Sequence, residues 1–216
     1  MIHAALLALA LTAGPTVTVK GKVTVHKSDG AELPDASDVV VYVEDVNEPV
    51  KGATAVLKQQ GRQFVPRVLV VAQGTEVKFP NEDSMKHNVF TNSPNVTFDL
   101  GEYAKNEGKS RVFEKPGEAD MYCNIHSEMI AYVVVAPSKL FAITGKDGSF
   151  EIKGVPVGKH RLRVWERFAR PKEKKIEIDA AEGAAPLAIS VDELAAADDA
   201  HKNKHGQEYK PDPAYH

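Results

Sequence analysis

Residues 17–25 read Val-Thr-Val-Lys-Gly-Lys-Val-Thr-Val. That unbroken period of two fits a strand with one buried face and fits no helix. Runs of the same kind recur along the chain at 39–43, 64–71, 76–79, 89–91, 97–100, 110–113, 121–123 and 130–135. They continue at 141–144, 149–152, 160–165, 175–178 and 187–191. Asp29-Gly30, Gly74 and Asp147-Gly148 supply turns between them. Short strands with turn signals every 8–12 residues or so define an all-β chain built from sandwiches or barrels. Only residues 192–200 have helical composition, and that stretch is short.

Charge and cysteine content narrow the class. The chain has 27 basic and 30 acidic residues, a net charge of −3, without the basic footprint of a nucleic-acid binder. One cysteine excludes an internal disulfide and any metal site built on two or more thiolates. Residues 2–13 are mostly Ala, Leu and Thr, and Gly14-Pro15 ends the run. The run is too short to span a bilayer and fits the apolar core of a secretory signal over residues 1–14, hence a periplasmic protein. No basic residue precedes it, and a buried first element is the alternative. No other segment is apolar enough to cross a membrane. The last stretch, 194–216, is polar, lacks apolar periodicity and carries His201, His205 and His216. It reads as a disordered tail.

The chemistry lies in His87, Cys123, His126 and Met129. Cys-Asn-Ile-His-Ser-Glu-Met, residues 123–129, places a thiolate, an imidazole and a thioether on one loop between two strands, and His87 lies upstream. Two imidazoles, one thiolate and a long axial thioether suit copper cycling between Cu(I) and Cu(II). Zinc shares the first three ligands but not the thioether, and structural zinc favours more thiolates. The chain has no Gly-x-Ser-x-Gly, His-Glu-x-x-His, P-loop or dinucleotide fingerprint, and no His-x-His pair. Four protein ligands leave no open position for substrate, so the reading is a carrier and not an enzyme.

Residues 61–136 resemble a cupredoxin, the family of plastocyanin, pseudoazurin and amicyanin. The resemblance rests on Phe64-Val65-Pro66, Gly74-Thr75-Glu76-Val77-Lys78-Phe79, Asn81, His87-Asn88-Val89, Lys115-Pro116-Gly117 and Tyr122-Cys123. The Cys-x2-His-x2-Met spacing is that of amicyanin. The resemblance implies a Greek-key sandwich and one copper ion held by His87, Cys123, His126 and Met129. It also implies that Asn88 donates its backbone N–H to the Cys123 sulfur and braces the loop with its side chain. The family's proline before the second histidine is Ile125 here, so a second N–H···S bond becomes available to Cys123 and raises the potential. Ser127 and Glu128 replace apolar docking residues. By the resemblance, electrons pass through His126 at a rim of Met85, Met129, Ile130 and Ala131 bordered by Glu128, with Tyr122 as a second route.

The flanks resemble the two halves of a carboxypeptidase-regulatory-like, or transthyretin-like, sandwich. Val19 to Val23, Asp29-Gly30 and Pro34-Asp35-Ala36 carry one half, and Asp147-Gly148-Ser149-Phe150 with Gly154-Val155-Pro156-Val157-Gly158 the other. The implied layout is a flanking sandwich of 17–52 and 138–193 around a cupredoxin at 53–137, as in the bacterial proteins labelled methylamine utilization protein. One enlarged cupredoxin is the simpler alternative. Deleting residues 53–136 is expected to leave a soluble β domain, and residues 53–136 alone to keep the copper colour. The expected function is an exported, monomeric blue copper protein passing single electrons between redox protein partners. A periplasmic copper carrier or sensor, or a structural β-module with a vestigial site, stands beside it.

Overall fold

A computed structural model describes residues 14–169, 173–193 and 202–209. Among them there are seventeen strands and no helix. The strands are β1 Thr16–His26, β2 Val40–Val43, β3 Thr54–Val56, β4 Lys58–Gln59, β5 Phe64–Val65, β6 Val68–Ala72, β7 Thr75–Pro80, β8 His87–Ser93 and β9 Val96–Tyr103. They continue as β10 Gly108–Phe113, β11 Gly117–Tyr122, β12 Ile130–Ala136, β13 Phe141–Ile143, β14 Ser149–Pro156, β15 Gly158–Trp165, β16 Glu173–Ala180 and β17 Leu187–Asp192. No helix among these residues is long and apolar enough to cross a membrane. The expected signal at 1–14, apart from Gly14, falls outside the described residues, as does the stretch of helical composition at 192–200 apart from Asp192, which ends β17, and Glu193.

Two pairs of sheets form. The chain ends supply a three-stranded sheet, β14-β1-β17, and a four-stranded one, β13-β2-β15-β16. The middle of the chain supplies a three-stranded sheet, β10-β7-β3, and a five-stranded one, β6-β12-β11-β8-β9. The β4–β5 ribbon stands apart. Each pair encloses its own core. Val23, Val41, Ile152, Leu162 and Val164 fill the first, and Phe79, Val89, Phe113, Met121 and Val133 the second. The expected single run at 64–71 is two strands, because Pro66 has no N–H to give a ladder.

A third core joins the two pairs. Strand β12 is apolar and buried along its whole length, so its alternating side chains must serve two faces. Ala131, Val133 and Val135 enter the core shared with Cys123, whereas Ile130, Tyr132, Val134 and Ala136 point the other way. There they meet Val40 and Tyr42 of β2 and Trp165 of β15. Tyr132 and Trp165 pack with ring centroids 5.6 Å apart, and the Trp165 indole N–H donates to Glu118.

Candidate metal centre

Strand β8 brings in the first donor. It is bulged between Asn88 and Phe90, and residues 87–91 are buried on both faces. The second group of donors lies on residues 123–129, the loop from β11 to β12. That loop is closed by its own backbone: Met129 N–H donates to the His126 carbonyl at 3.2 Å, and Cys123 N–H to the Met129 carbonyl at 3.2 Å. The Asn88 side chain ties the two elements together, its Oδ1 accepting from the Asn124 N–H at 2.9 Å.

His87, Cys123 and His126 present three ligand atoms that all lie within 4.8 Å of one another. The two Nδ1 atoms are 3.1 Å apart, and His126 Nδ1 is 3.8 Å from Cys123 Sγ. A single ion bonded at about 2.0–2.3 Å to each donor would span separations of this size. Two imidazoles and one thiol are a donor set that fits copper. Met129 is fully buried in the same core as Cys123.

The surroundings prepare these atoms for a metal. His87 Nε2 lies 2.8 Å from Asp83 Oδ2, and a proton shared on that side leaves the Nδ1 lone pair free toward the site. Asp83 is held in turn by the N–H groups of Gly61 at 2.7 Å and Arg62 at 2.8 Å. Burial alone raises its pKa; those N–H groups and the His87 ring more than offset it and hold the carboxyl below the usual range. Burial pushes the Cys123 thiol up, against the N–H groups of Asn88, Ile125 and His126, which favour the thiolate. The Ile125 N–H lies 3.5 Å from the sulfur, the bond that proline cannot make.

The remaining candidates fall in different places. Ile130 is 7 % exposed and sits in the core between the two sandwiches, and Ala131 and Met129 are also buried. They form no exposed rim: alternation along β12 turns Ile130 away from the metal loop. The exposed apolar residues near the site are Met85, at 37 %, and Ile125, at 39 %. Glu128 is ion-paired with Arg62, whose left-handed backbone (φ 57°) sits in the loop that holds Asp83. Tyr122 is half-buried, packs on Phe90 with centroids 5.7 Å apart and faces the third core.

The polar C-terminal stretch departs from its reading as a disordered tail. Residues 202–209 return to the metal loop and bond to Asn124, Asp99 and Cys123. Residues 194–201 and 210–216 lie outside the described residues. Asp83, Lys204 and Tyr209 are the site residues that sequence reasoning missed. A carboxylate four positions before His87 was the one available signal; Lys204 and Tyr209 have none.

No protein-family model matches the chain, and no curated protein matches it. Solved structures similar to it include a copper-containing nitrite reductase from Thermus scotoductus SA-01, 25% identical, with a TM-score of 0.37. That alignment covers 44% of this chain and 25% of the reductase, so the chain spans about a quarter of the reductase's length. A purple cupredoxin from Nitrosopumilus maritimus is 23% identical over 39% of this chain and 99% of its own, with a TM-score of 0.34. A reduced amicyanin mutant is 22% identical over 44% of this chain and 97% of its own, with a TM-score of 0.37.

Proposed function

We propose that the chain is an exported, mononuclear type 1 copper protein that passes single electrons between redox protein partners, and that His87, Cys123, His126 and Met129 would hold the copper. The observation that carries the reading is the buried group of two imidazole Nδ1 atoms and one thiol within 4.8 Å. Copper bound there supplies a Cu(I)/Cu(II) couple.

The protein's part is to hold the donors still. Asp83 fixes the His87 ring, the loop's own backbone bonds fix Cys123 and Met129, and Asn88 locks the loop to β8. The N–H groups of Asn88, Ile125 and His126 steady the sulfur's negative charge. A site so preorganised suits both oxidation states with little movement of the chain. His87, Cys123 and Met129 are fully buried, which leaves no room for a substrate beside the metal, and this favours a carrier over an enzyme. His126, at 6 % exposure, is the least buried of the four and the ligand through which a partner couples. Exposed Met85 and Ile125 supply apolar contact there, with the Arg62–Glu128 pair at the border. Docking of this kind is small in area and steered by charge.

The test is the visible spectrum of the purified chain titrated with Cu(II). One equivalent should produce an intense thiolate-to-copper band that cycles reversibly with a one-electron reductant. Cys123→Ser should lose the band and keep the far-ultraviolet signature of a β protein. A folded wild type that stays colourless with Cu(II) overturns the reading.

A further inference from the structure

Residues 202–209 lie against the metal loop of the second sandwich. Three bonds make the contact. The Lys204 backbone N–H donates to Asn124 Oδ1 at 3.0 Å, and Lys204 Nζ donates to Asp99 Oδ2 at 2.7 Å. The Tyr209 hydroxyl donates to the Cys123 carbonyl at 2.6 Å.

Each bond lands on a group that the metal centre already uses. Asn124 is the residue whose N–H is held by Asn88. Asp99, through its other oxygen, accepts from Asn88 Nδ2 at 2.6 Å. Cys123 has its N–H committed to Met129 within the loop, so Tyr209 secures the other side of the same residue. Asn88, Asn124 and Asp99 thus form one network that runs from the sulfur's N–H donor out to the Lys204 ammonium.

The segment itself is closed. Asn203 N–H donates to the Gln207 carbonyl at 2.9 Å, and Gly206 N–H to the Asn203 carbonyl at 2.8 Å. Asn203 Oδ1 accepts from the N–H groups of His205 at 2.9 Å and Gln207 at 3.1 Å. This turn sets Lys204 and Tyr209 at its two ends with their bonds on one loop. Tyr209 is half-buried, and its hydroxyl is the donor in the bond to the Cys123 carbonyl.

We propose that residues 202–209 are a strap that completes the metal centre from outside, with Lys204 and Tyr209 as positioning residues for the loop that carries Cys123, His126 and Met129. The proposal rests on the reading of that loop as a copper loop. Three of the four ligands lie on this one segment, so a single local opening releases them together. Bonds that tie the loop's outer side to the body of the sandwich act against that opening. A net hydrogen bond of ordinary strength slows it about fivefold. The strap thereby lowers the rate of metal loss and narrows the range of positions open to the sulfur.

The experiment uses the full chain as wild type, Tyr209→Phe, Lys204→Met, the double variant and Lys204→Arg. Amide hydrogen exchange of the metal-free proteins is followed over residues 123–129 and, as a control, over β1 and β14. Tyr209→Phe and Lys204→Met should each speed loop exchange about fivefold, and the double variant more, with the control strands unchanged. Lys204→Arg, which keeps a cation for Asp99, should restore slow exchange. In the Cu(II)-loaded proteins, loss of metal to a chelator should accelerate in the same order, and the thiolate-to-copper band should shift in Tyr209→Phe. Unchanged loop exchange in the double variant overturns the strap. Faster exchange in a protein that gives no coloured Cu(II) form supports the strap and overturns the copper reading instead, so the two failures are distinct.

Discussion

Ile125→Pro isolates one bond to the Cys123 sulfur. The Ile125 N–H lies 3.5 Å from Cys123 Sγ, and proline has no N–H to put there. An N–H···S bond steadies the thiolate most when the sulfur carries most charge, which is in the reduced state. Removing it therefore lowers the reduction potential. Sulfur is a weak acceptor, so the bond's differential worth is taken at the lower part of the usual range, about 0.5–1 kcal/mol. For a one-electron couple, about 60 mV corresponds to about 1.4 kcal/mol, which converts the loss to roughly 20–40 mV. The N–H groups of Asn88 and His126 remain on the sulfur, so the shift stays within tens of millivolts. The Ile125 side chain is 39 % exposed, so its removal costs little packing. Ile125→Ala is the control, because it keeps the N–H. Voltammetry on the copper-loaded wild type and both variants should place the proline variant lowest, with alanine at the wild-type value. A proline variant at or above wild type, or an alanine variant that moves as far, refutes the argument.

Three further changes probe other parts of the molecule. Asp83→Asn removes the carboxylate behind His87 Nε2, and competition with a chelator should show a 10–100-fold loss of metal affinity, roughly, with the fold intact. Glu166 is buried and its pKa is raised, burial being the main cause; its protonated form favours folding, and that contribution is lost as pH rises from the unfolded value through the folded one. Glu166→Gln keeps an oxygen for the N–H groups of Phe168 and Ala169, so it should raise the melting temperature at pH 7 and leave it nearly unchanged at pH 4. Gly148 has φ 76°, and an added Cβ there lies 1.9 Å from the Val23 carbonyl oxygen, so Gly148→Ala should cost ~2 kcal/mol or more in denaturant unfolding and leave the metal loop's exchange unchanged.

Much of this architecture was legible because its signals are local. Alternation marked β1, and the unbroken apolar run of residues 130–135 marked β12. The grouping of His87, Cys123 and His126 was partly legible because two of these three donors lie on one short loop. Strands β3 and β4 were missed: at three and two residues they are shorter than any periodicity can register. Ile130 was misplaced because proximity to Met129 in sequence suggested proximity in space. The period of two turns it to the opposite face, and it took β2 and β15 of the first sandwich to show what covers that face. The strap was illegible for a different reason. Its bonds end on a backbone carbonyl and an amide oxygen of the 123–129 loop and a carboxylate of β9, all far away in sequence, and a polar segment that bonds in this way has the composition of one that does not.

The third core also decides what happens when the two sandwiches are separated. An inserted domain is expected to be removable when its ends lie close. Here removal of residues 53–137 strips Val68, Ile130, Tyr132 and Val134 from Val40, Tyr42 and Trp165, and it takes Glu118 from the Trp165 indole N–H. Tyr42 and Trp165, both buried in the full chain, alone account for roughly 300–500 Å² of side-chain surface. That approaches the largest apolar patch an ordinary monomer leaves open, about 300–600 Å². The excised sandwich should therefore self-associate or precipitate, and the isolated insert should do the same through Ile130, Tyr132 and Val134. Mixing the two should restore solubility. In the full chain, Trp165→Ala should cost about 3–5 kcal/mol, and calorimetry should then show two transitions in place of one. Two fragments that are each monomeric, with the melting temperature of the intact protein, would show that the third core is a contact surface and not a shared core.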